Sequence, residues 1–198
     1  LTLHPAVSLN LRLTNRVVDL AEEGVDIALR VGPIPDASVI VRRFMPVSYS
    51  VAATPAYWRA HGTPAHPKEL GAHRTLCVSL HDEAPAWHFQ DHGKPFSVPL
   101  QPLVNATELE PLLPMALQDL GVVYAPTISL AAPLESGALT EVLADYMPRE
   151  VWLYAAYAQR RHNSAALAAL LAFLAQAMDD MRPQLVSHAA AGLSIESS

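Results

Sequence analysis

The feature that most constrains the fold is a strand–helix–strand pattern near the start of the chain. Val7–Leu13 reads Val-Ser-Leu-Asn-Leu-Arg-Leu, the strict alternation of a strand with one polar face. Thr14 or Asn15 then stands where a helix cap belongs, and Val17, Val18, Leu20 and Ala21 give Arg16–Glu23 an apolar side. Gly24 falls where a C-terminal glycine ends a helix. Val25–Arg30 reads as a second strand that stops at Val31-Gly32-Pro33. A strand, a helix and a strand in so short a span predict a βαβ unit, hence a parallel sheet with a right-handed crossover.

The same punctuation continues downstream. Ser48–Ala53 predicts a third strand, and Thr54-Pro55 supplies a cap and a proline for a short helix closed by Gly62. Leu76–Leu80, Trp87–Phe89 and Phe96–Leu100 predict short strands. Thr107-x-x-Glu110 matches a capping box ahead of a helix over Leu112–Leu120, although Pro111 and Pro114 push its start later. Gly121 ends that helix, and Val122–Ala125 returns as a strand that stops at Pro126. Val151–Tyr157 is the last strand. Asn163 or Ser164 caps the clearest helix, in which Leu167, Leu170, Leu171, Leu174, Met178 and Met181 share a face, with Pro183 just beyond it. The C-terminal extension, 184–198, lacks periodicity and predicts either a flexible tail or a helix belonging to an interface.

Composition narrows the function classes. With 198 residues, 51% of them apolar and 16% charged, the chain can build one large domain or two lobes of about 100 residues each. Its net charge is −6 and its only basic pairs are Arg42-Arg43 and Arg160-Arg161, so the chain is not expected to grip DNA by itself. The single cysteine, Cys77, excludes an internal disulfide, suits a reducing cytoplasm and reads as a buried strand residue. The opening residues carry no signal-peptide pattern, and the apolar helix around Ala165–Met178 is too short to span a bilayer.

Catalytic and metal readings find little support. His61, His66 and His73, and His81, His88 and His92, lack the cysteines or carboxylates of a zinc site and read as solvated loop residues. Ser79 with His81 or His88 and Asp82 evokes a hydrolase triad, but no Gly-x-Ser-x-Gly elbow surrounds any serine. With eight glycines and no glycine-rich phosphate loop, no nucleotide cofactor is implied. Trp87-His88-Phe89 could stack a ligand, but core packing explains it as well. No enzyme, metal or cofactor is expected.

Five segments together resemble the effector-binding domain of LysR-type transcriptional regulators. They are Arg16-Val17-Val18-Asp19-Leu20-Ala21-Glu22-Glu23 running into Gly24-Val25-Asp26-Ile27-Ala28-Leu29-Arg30-Val31-Gly32; Thr54-Pro55-Ala56-Tyr57 with His61-Gly62-Thr63-Pro64; Leu120-Gly121-Val122-Val123 with Pro126; Tyr154-Ala155-Ala156-Tyr157 with Arg160-Arg161-His162; and the helix carrying Phe173-Leu174. The resemblance covers roughly Leu3 to Met181. Two departures stand out. The family's first strand, with the hydroxyl residues that follow it, would precede Leu1, and Asp119 occupies a position where many members have glycine.

The resemblance implies an α/β, two-lobed fold like that of type-2 periplasmic binding proteins. Each lobe is a mixed, mostly parallel sheet flanked by helices, and two crossover strands join them. Lobe one spans 1–52 and 154–183, and lobe two spans 53–153. Ligands of such folds bind at the carboxyl ends of parallel strands. Matched position assigns effector binding to Thr14, Asn15, Arg30, Val31, Gly32, Thr54, Val78, Ser79, Asn105, Ala106 and Pro126. Thr14, Asn15 and Thr54 serve equally well as plain helix caps, and Arg30 as a structural ion pair or a partner for a carboxylate. The implied protein is a cytoplasmic regulator whose effector, a carboxylate or aromatic acid among the candidates, alters oligomer and DNA contacts. DNA would be met only through an N-terminal helix-turn-helix domain, and the effector domains would pair as homodimers within a tetramer, away from any membrane. The alternative is a stand-alone solute-binding protein of the same fold, delivering a small anion to a transporter.

Overall fold

The computed structural model describes residues 4–14, 19–20, 22–32, 39–79, 84–149, 151–158 and 164–191, with side chains described as far as residue 180. The strands, in chain order, are β1 (Ala28–Gly32), β2 (Ile40–Pro46), β3 (Tyr49–Ala53), β4 (Thr75–Val78), β5 (Ala86–Asp91), β6 (Lys94–Pro99), β7 (Val104–Ala106), β8 (Val122–Pro126), β9 (Thr140–Val142) and β10 (Trp152–Tyr157). The helices are α1 (Pro55–His61), α2 (Leu112–Ala116), α3 (Thr127–Glu135) and α4 (Ala165–Ala191), with 3-10 turns at Pro67–Ala72 and Ala144–Tyr146. They form two compact units, one of Leu1–Pro46 with Trp152–Ser198 and one of Val47–Val151.

In the first unit β10 lies between β1 and β2 and runs antiparallel to both. Period-two alternation sends Tyr154 and Ala156 to one face, with buried Leu20, and Ala155 to the other, with Phe44. The apolar stripe of α4 covers the second face through Leu167, Leu171, Leu174 and Met178. Ser164, one of the two expected caps, accepts the Leu167 N–H at 3.1 Å. The helix was expected to end before Pro183 and instead runs to Ala191.

Three expectations for this unit need correction. The strand over Val7–Leu13 does not form: these residues have no ladder partner among the described residues, and Leu11 and Leu13 are 81% and 97% exposed. Alternation says which side chains share a face, but a strand exists only through bonds to a neighbour. Of the helix expected over Arg16–Glu23, residues 16–18 and 21 lie outside the described residues. The rest is a turn in which Asp19 Oδ1 accepts the Glu22 N–H at 3.1 Å and the Asp19 carbonyl accepts the Glu23 N–H at 3.1 Å. Gly24, at φ 64°, closes it as a C-terminal glycine would. The next strand begins at Ala28 rather than Val25, and its partner is antiparallel β10, so this three-stranded sheet holds no parallel pair.

The second unit centres on a five-stranded sheet in the order β7-β4-β8-β3-β9. Here β4 runs parallel to β7 and β8, while β3 runs antiparallel to β8 and β9. Val51, Cys77 and Val122 face the β5–β6 hairpin and α1, packing with Tyr57, Trp58, Trp87 and Phe89. Ala52, Leu76, Val123 and Ala125 face the other way, onto Leu112 and Ala116 of α2 and Leu130 of α3. A sheet covered on both sides explains why these strands read as nearly unbroken apolar runs. The capping box expected at Thr107 does not start α2: Pro111 stands at the cap position and makes no side-chain cap bond. The helix is also shorter than Leu112–Leu120. Its Pro114 lies in the first turn, where a missing N–H costs nothing.

Candidate functional site

Three parallel strands of the second unit, β7, β4 and β8, end on one edge of the sheet, at Ala106, Val78 and Pro126. The backbone turns just beyond β4, where the Ser79 N–H donates to the Ala106 carbonyl at 3.0 Å. The Ser79 hydroxyl donates to Asn105 Oδ1 at 2.9 Å. Because Asn105 lies opposite Cys77 in register, Asn105 and Ser79 share the sheet face on which Cys77 packs. Pro126 leads directly into α3, whose first residue, Thr127, donates its N–H to the Ser48 carbonyl at 2.9 Å. The Thr127 and Ser50 hydroxyls are 2.8 Å apart, and Ser50 is fully buried. Ile128, in the same first turn, is 55% exposed.

The edge is therefore built from hydroxyls, one amide and apolar side chains. Tyr49, opposite Pro126 in register, stacks on Tyr124 at 5.0 Å, and Tyr124 stacks on Trp87 at 5.4 Å. Burial pushes both phenols above their ordinary range, so they stay neutral. Cys77 is also buried, which raises its thiol and keeps it protonated. Sequence reading missed Ser48, Tyr49, Ser50, Thr127 and Ile128. The signal available was the strand-ending Pro126 followed by a threonine, a second instance of the strand-to-helix junction read at Thr54-Pro55.

Val78, Ser79, Asn105, Ala106 and Pro126 thus come together on one edge. Thr54 does not join them. Since β3 runs against β8, its carboxyl end lies at the amino ends of the parallel strands, on the opposite edge. There Thr54 caps α1, accepting the Tyr57 N–H at 3.0 Å, and its hydroxyl donates to the Asp119 carboxylate. Asp119 takes the left-handed φ of 60° that favours glycine. Replacing Thr54 by alanine is expected to cost about 1 kcal/mol of stability, the usual value of a lost cap. Ligand affinity should be unchanged, which titration of a bound ligand into both proteins would check.

In the first unit, Arg30, Val31 and Gly32 end β1, opposite Tyr154, Leu153 and Trp152. Arg30 shares the face of Tyr154 and is partly buried, whereas Val31 is 45% exposed. Thr14 is exposed and lies in no helix or strand, and Asn15 lies outside the described residues.

Of the histidines read as solvated, His61, His88 and His92 are exposed, His66 and His73 are half-buried, and His81 lies outside the described residues. His61 stacks on Tyr57 at 4.2 Å, His66 lies 5.8 Å from Phe96 and 5.0 Å from Tyr146, and His73 meets the edge of Trp58 at 5.6 Å. The Tyr57 hydroxyl accepts the Arg74 N–H at 2.9 Å, with His73 Nδ1 at 3.5 Å. Burial, then the charge of His61, holds the His73 imidazole below its usual 6.5, against an opposing pull from Glu69. The folded protein resists a proton that the unfolded chain accepts. Stability is therefore complete above pH 6.5 and is lost as the pH falls through the lowered value. Melting curves between pH 7.5 and 5 should show a fall in midpoint that is smaller in His73→Gln.

Residues 1–179 match the LysR substrate binding domain family. A probable HTH-type transcriptional regulator, LtrA of Klebsiella pneumoniae, is 30% identical over 181 residues, 87% of this chain and 57% of that protein. An HTH-type transcriptional regulator of Xanthomonas campestris is 30% identical over 175 residues, 86% of this chain and 51% of its own length. The regulatory domain of CrgA, a LysR-type regulator of Neisseria meningitidis, superposes with a TM-score of 0.63 at 27% identity, covering 80% of this chain and 78% of that one. Full-length AphB of Vibrio cholerae superposes with a TM-score of 0.73 at 24% identity over 89% of this chain and 60% of its own, a likeness of fold.

The chain belongs to the LysR substrate-binding domain family, with the type-2 periplasmic-binding-protein fold of its structural neighbours. It spans about half the length of the curated relatives it matches. No helix among the described residues is long and apolar enough to cross a membrane.

Proposed function

We propose that this chain is the effector-sensing part of a DNA-binding transcription regulator. The observation that carries the reading is the family match over residues 1–179, in a chain whose parallel strands end at Val78, Ser79, Asn105, Ala106 and Pro126. Such strand ends are where open α/β folds hold ligands. Thr14, Asn15, Arg30, Val31 and Gly32 contribute from the first unit, with Arg30 able to pair with a carboxylate. The gripping of an effector between two lobes, which the family resemblance implies, is part of the same proposal. So are DNA contact through an N-terminal helix-turn-helix domain, assembly into homodimers and tetramers, a cytoplasmic setting and the absence of catalysis. Relatives named as transcriptional regulators support the regulator over a transport-linked solute-binding protein.

Effector binding would shift the protein between conformations by its differential affinity for them. A thermal-shift screen of small metabolites, aromatic acids included, tests the reading on the full-length protein. A ligand at about 100 times its Kd adds about 2.7 kcal/mol, which raises the midpoint of a domain of this size by roughly 5–10 °C. A hit should also change the protein's affinity for its own promoter DNA. A full screen without a hit would count against sensing.

A further inference from the structure

A cavity of about 570 Å³ lies wholly within the second unit and shares no residue with the edge at Val78, Ser79, Asn105, Ala106 and Pro126. Its volume is in the range of small-molecule sites. One wall is the β5–β6 turn, residues 90–93, and the other is Asp145, Tyr146 and Arg149. Both walls are held by short-range constraints. Asp91 pairs with Lys94 in register, so His92 and Gly93 are the central residues of a two-residue turn, at φ 46° and 78°. The facing 3-10 turn starts from Leu143 at φ 61°, and the Tyr146 N–H donates to the Leu143 carbonyl at 3.0 Å. Non-glycine residues seldom take positive φ, and two of the three that do so among the described residues, His92 and Leu143, border this cavity. His66 meets the Tyr146 ring edge-on at 5.0 Å, which fixes the aromatic part of the wall.

The walls carry charges of both signs, the carboxylates of Asp91 and Asp145 and the guanidinium of Arg149. No ion pair joins Arg149 to either carboxylate, and the side chains of Asp145 and Arg149 have no hydrogen-bonding or ionic partner among the described residues. Asp91 meets only its turn neighbour His92, at 3.6 Å. The opposite charges therefore stand too far apart to neutralise one another. We propose that this cavity binds a zwitterionic aromatic amino acid, with its ammonium group on Asp91 and Asp145, its carboxylate on Arg149 and its ring against Tyr146. A ligand with both charges satisfies both walls at once, through charge-assisted hydrogen bonds. A plain acid leaves the two carboxylates unpaired and repelled, and a plain amine does the same to the guanidinium. The net charge of −6 opposes the approach of an anion but not of a zwitterion. The volume exceeds what an amino-acid head group fills, and Tyr146 offers the rest of the ligand an aromatic surface. The proposal concerns other residues than the sensing function above and stands apart from it.

The test is isothermal titration of the full-length protein with L-phenylalanine, with phenethylamine, which lacks the carboxylate, and with 3-phenylpropionate, which lacks the ammonium group. Phenylalanine should bind with a Kd of about 1 mM or tighter, and at least tenfold more tightly than either analogue. Arg149→Gln should weaken phenylalanine at least tenfold and abolish its advantage over phenethylamine. The double variant Asp91→Asn, Asp145→Asn should weaken it at least tenfold and abolish its advantage over 3-phenylpropionate. All three side chains are exposed, so the ligand-free melting midpoints of both variants should stay close to that of the parent, which separates lost contacts from lost fold. Absence of phenylalanine binding to the parent, or an affinity no better than that of an analogue, would overturn the proposal. So would a smaller loss than tenfold in either variant, which would put the bound amino acid elsewhere on the protein. None of these outcomes bears on effector sensing, which the metabolite screen and promoter binding decide.

Discussion

Replacing Gly121 with alanine is expected to destabilise the second unit by about 3 kcal/mol, the upper part of the usual range for forcing extra volume into a packed site. The cause is backbone proximity rather than glycine's conformational freedom. A Cβ at Gly121 would overlap the Arg74 carbonyl oxygen and sit 3.0 Å from the Arg74 carbonyl carbon. Neither atom can withdraw, because the Val122 N–H donates to that same carbonyl at 2.8 Å and so brings β8 alongside β4. Relief would require breaking this bond at the start of the parallel pairing. A melting midpoint lower by roughly 6–12 °C is expected. Gly71→Ala is the control, since a Cβ there meets nothing within 4 Å. Equal midpoints for the two variants would refute the steric argument.

Trp58→Ala should cost about 3–5 kcal/mol, as large-to-small changes of buried aromatics do. Trp58 is 5% exposed, its ring meets Tyr57 edge-on at 5.4 Å, and its indole N–H donates to the Thr140 carbonyl at 3.0 Å. It thereby fastens α1 to β9 as well as filling core. Trp58→Phe separates the two roles: most of the volume stays while the carbonyl bond is lost, at about 1 kcal/mol. Urea titrations of the two variants and the parent would measure both terms. A phenylalanine variant as unstable as the alanine variant would mean that the bond, not the ring, dominates.

Local signals that close on themselves were legible in the sequence. Thr54-Pro55 through Gly62 encodes α1 completely, because cap, first-turn proline and terminal glycine act within a few residues. Ser164 and the leucine stripe of α4 are equally local. The hairpin strands around Trp87 and Phe96 were read from their flanking turn residues, and His92-Gly93 does turn with both φ values positive. What could not be read is pairing. Val7–Leu13 has ideal alternation and no partner, whereas β7 and β9 have three residues each and owe their existence to neighbours. Strand direction was hidden for the same reason. Val51-Ala52-Ala53 looks alike whichever way it runs, so Thr54 was grouped with residues that the fold puts at the far edge. The α3 helix went unread because Pro126 was read only as the end of a strand, although proline is well placed at a helix start.

The antiparallel course of β3 has a consequence for how such a protein can diverge. Anchoring duties, carried by Thr54, Asp119 and Trp58, sit at one extremity of the sheet, and Ser79 and Asn105 at the other. Substitutions so far apart and without shared partners add their effects independently. Chemical preference at one extremity can then drift from relative to relative while the scaffold's margin of stability, set at the other, is left undisturbed.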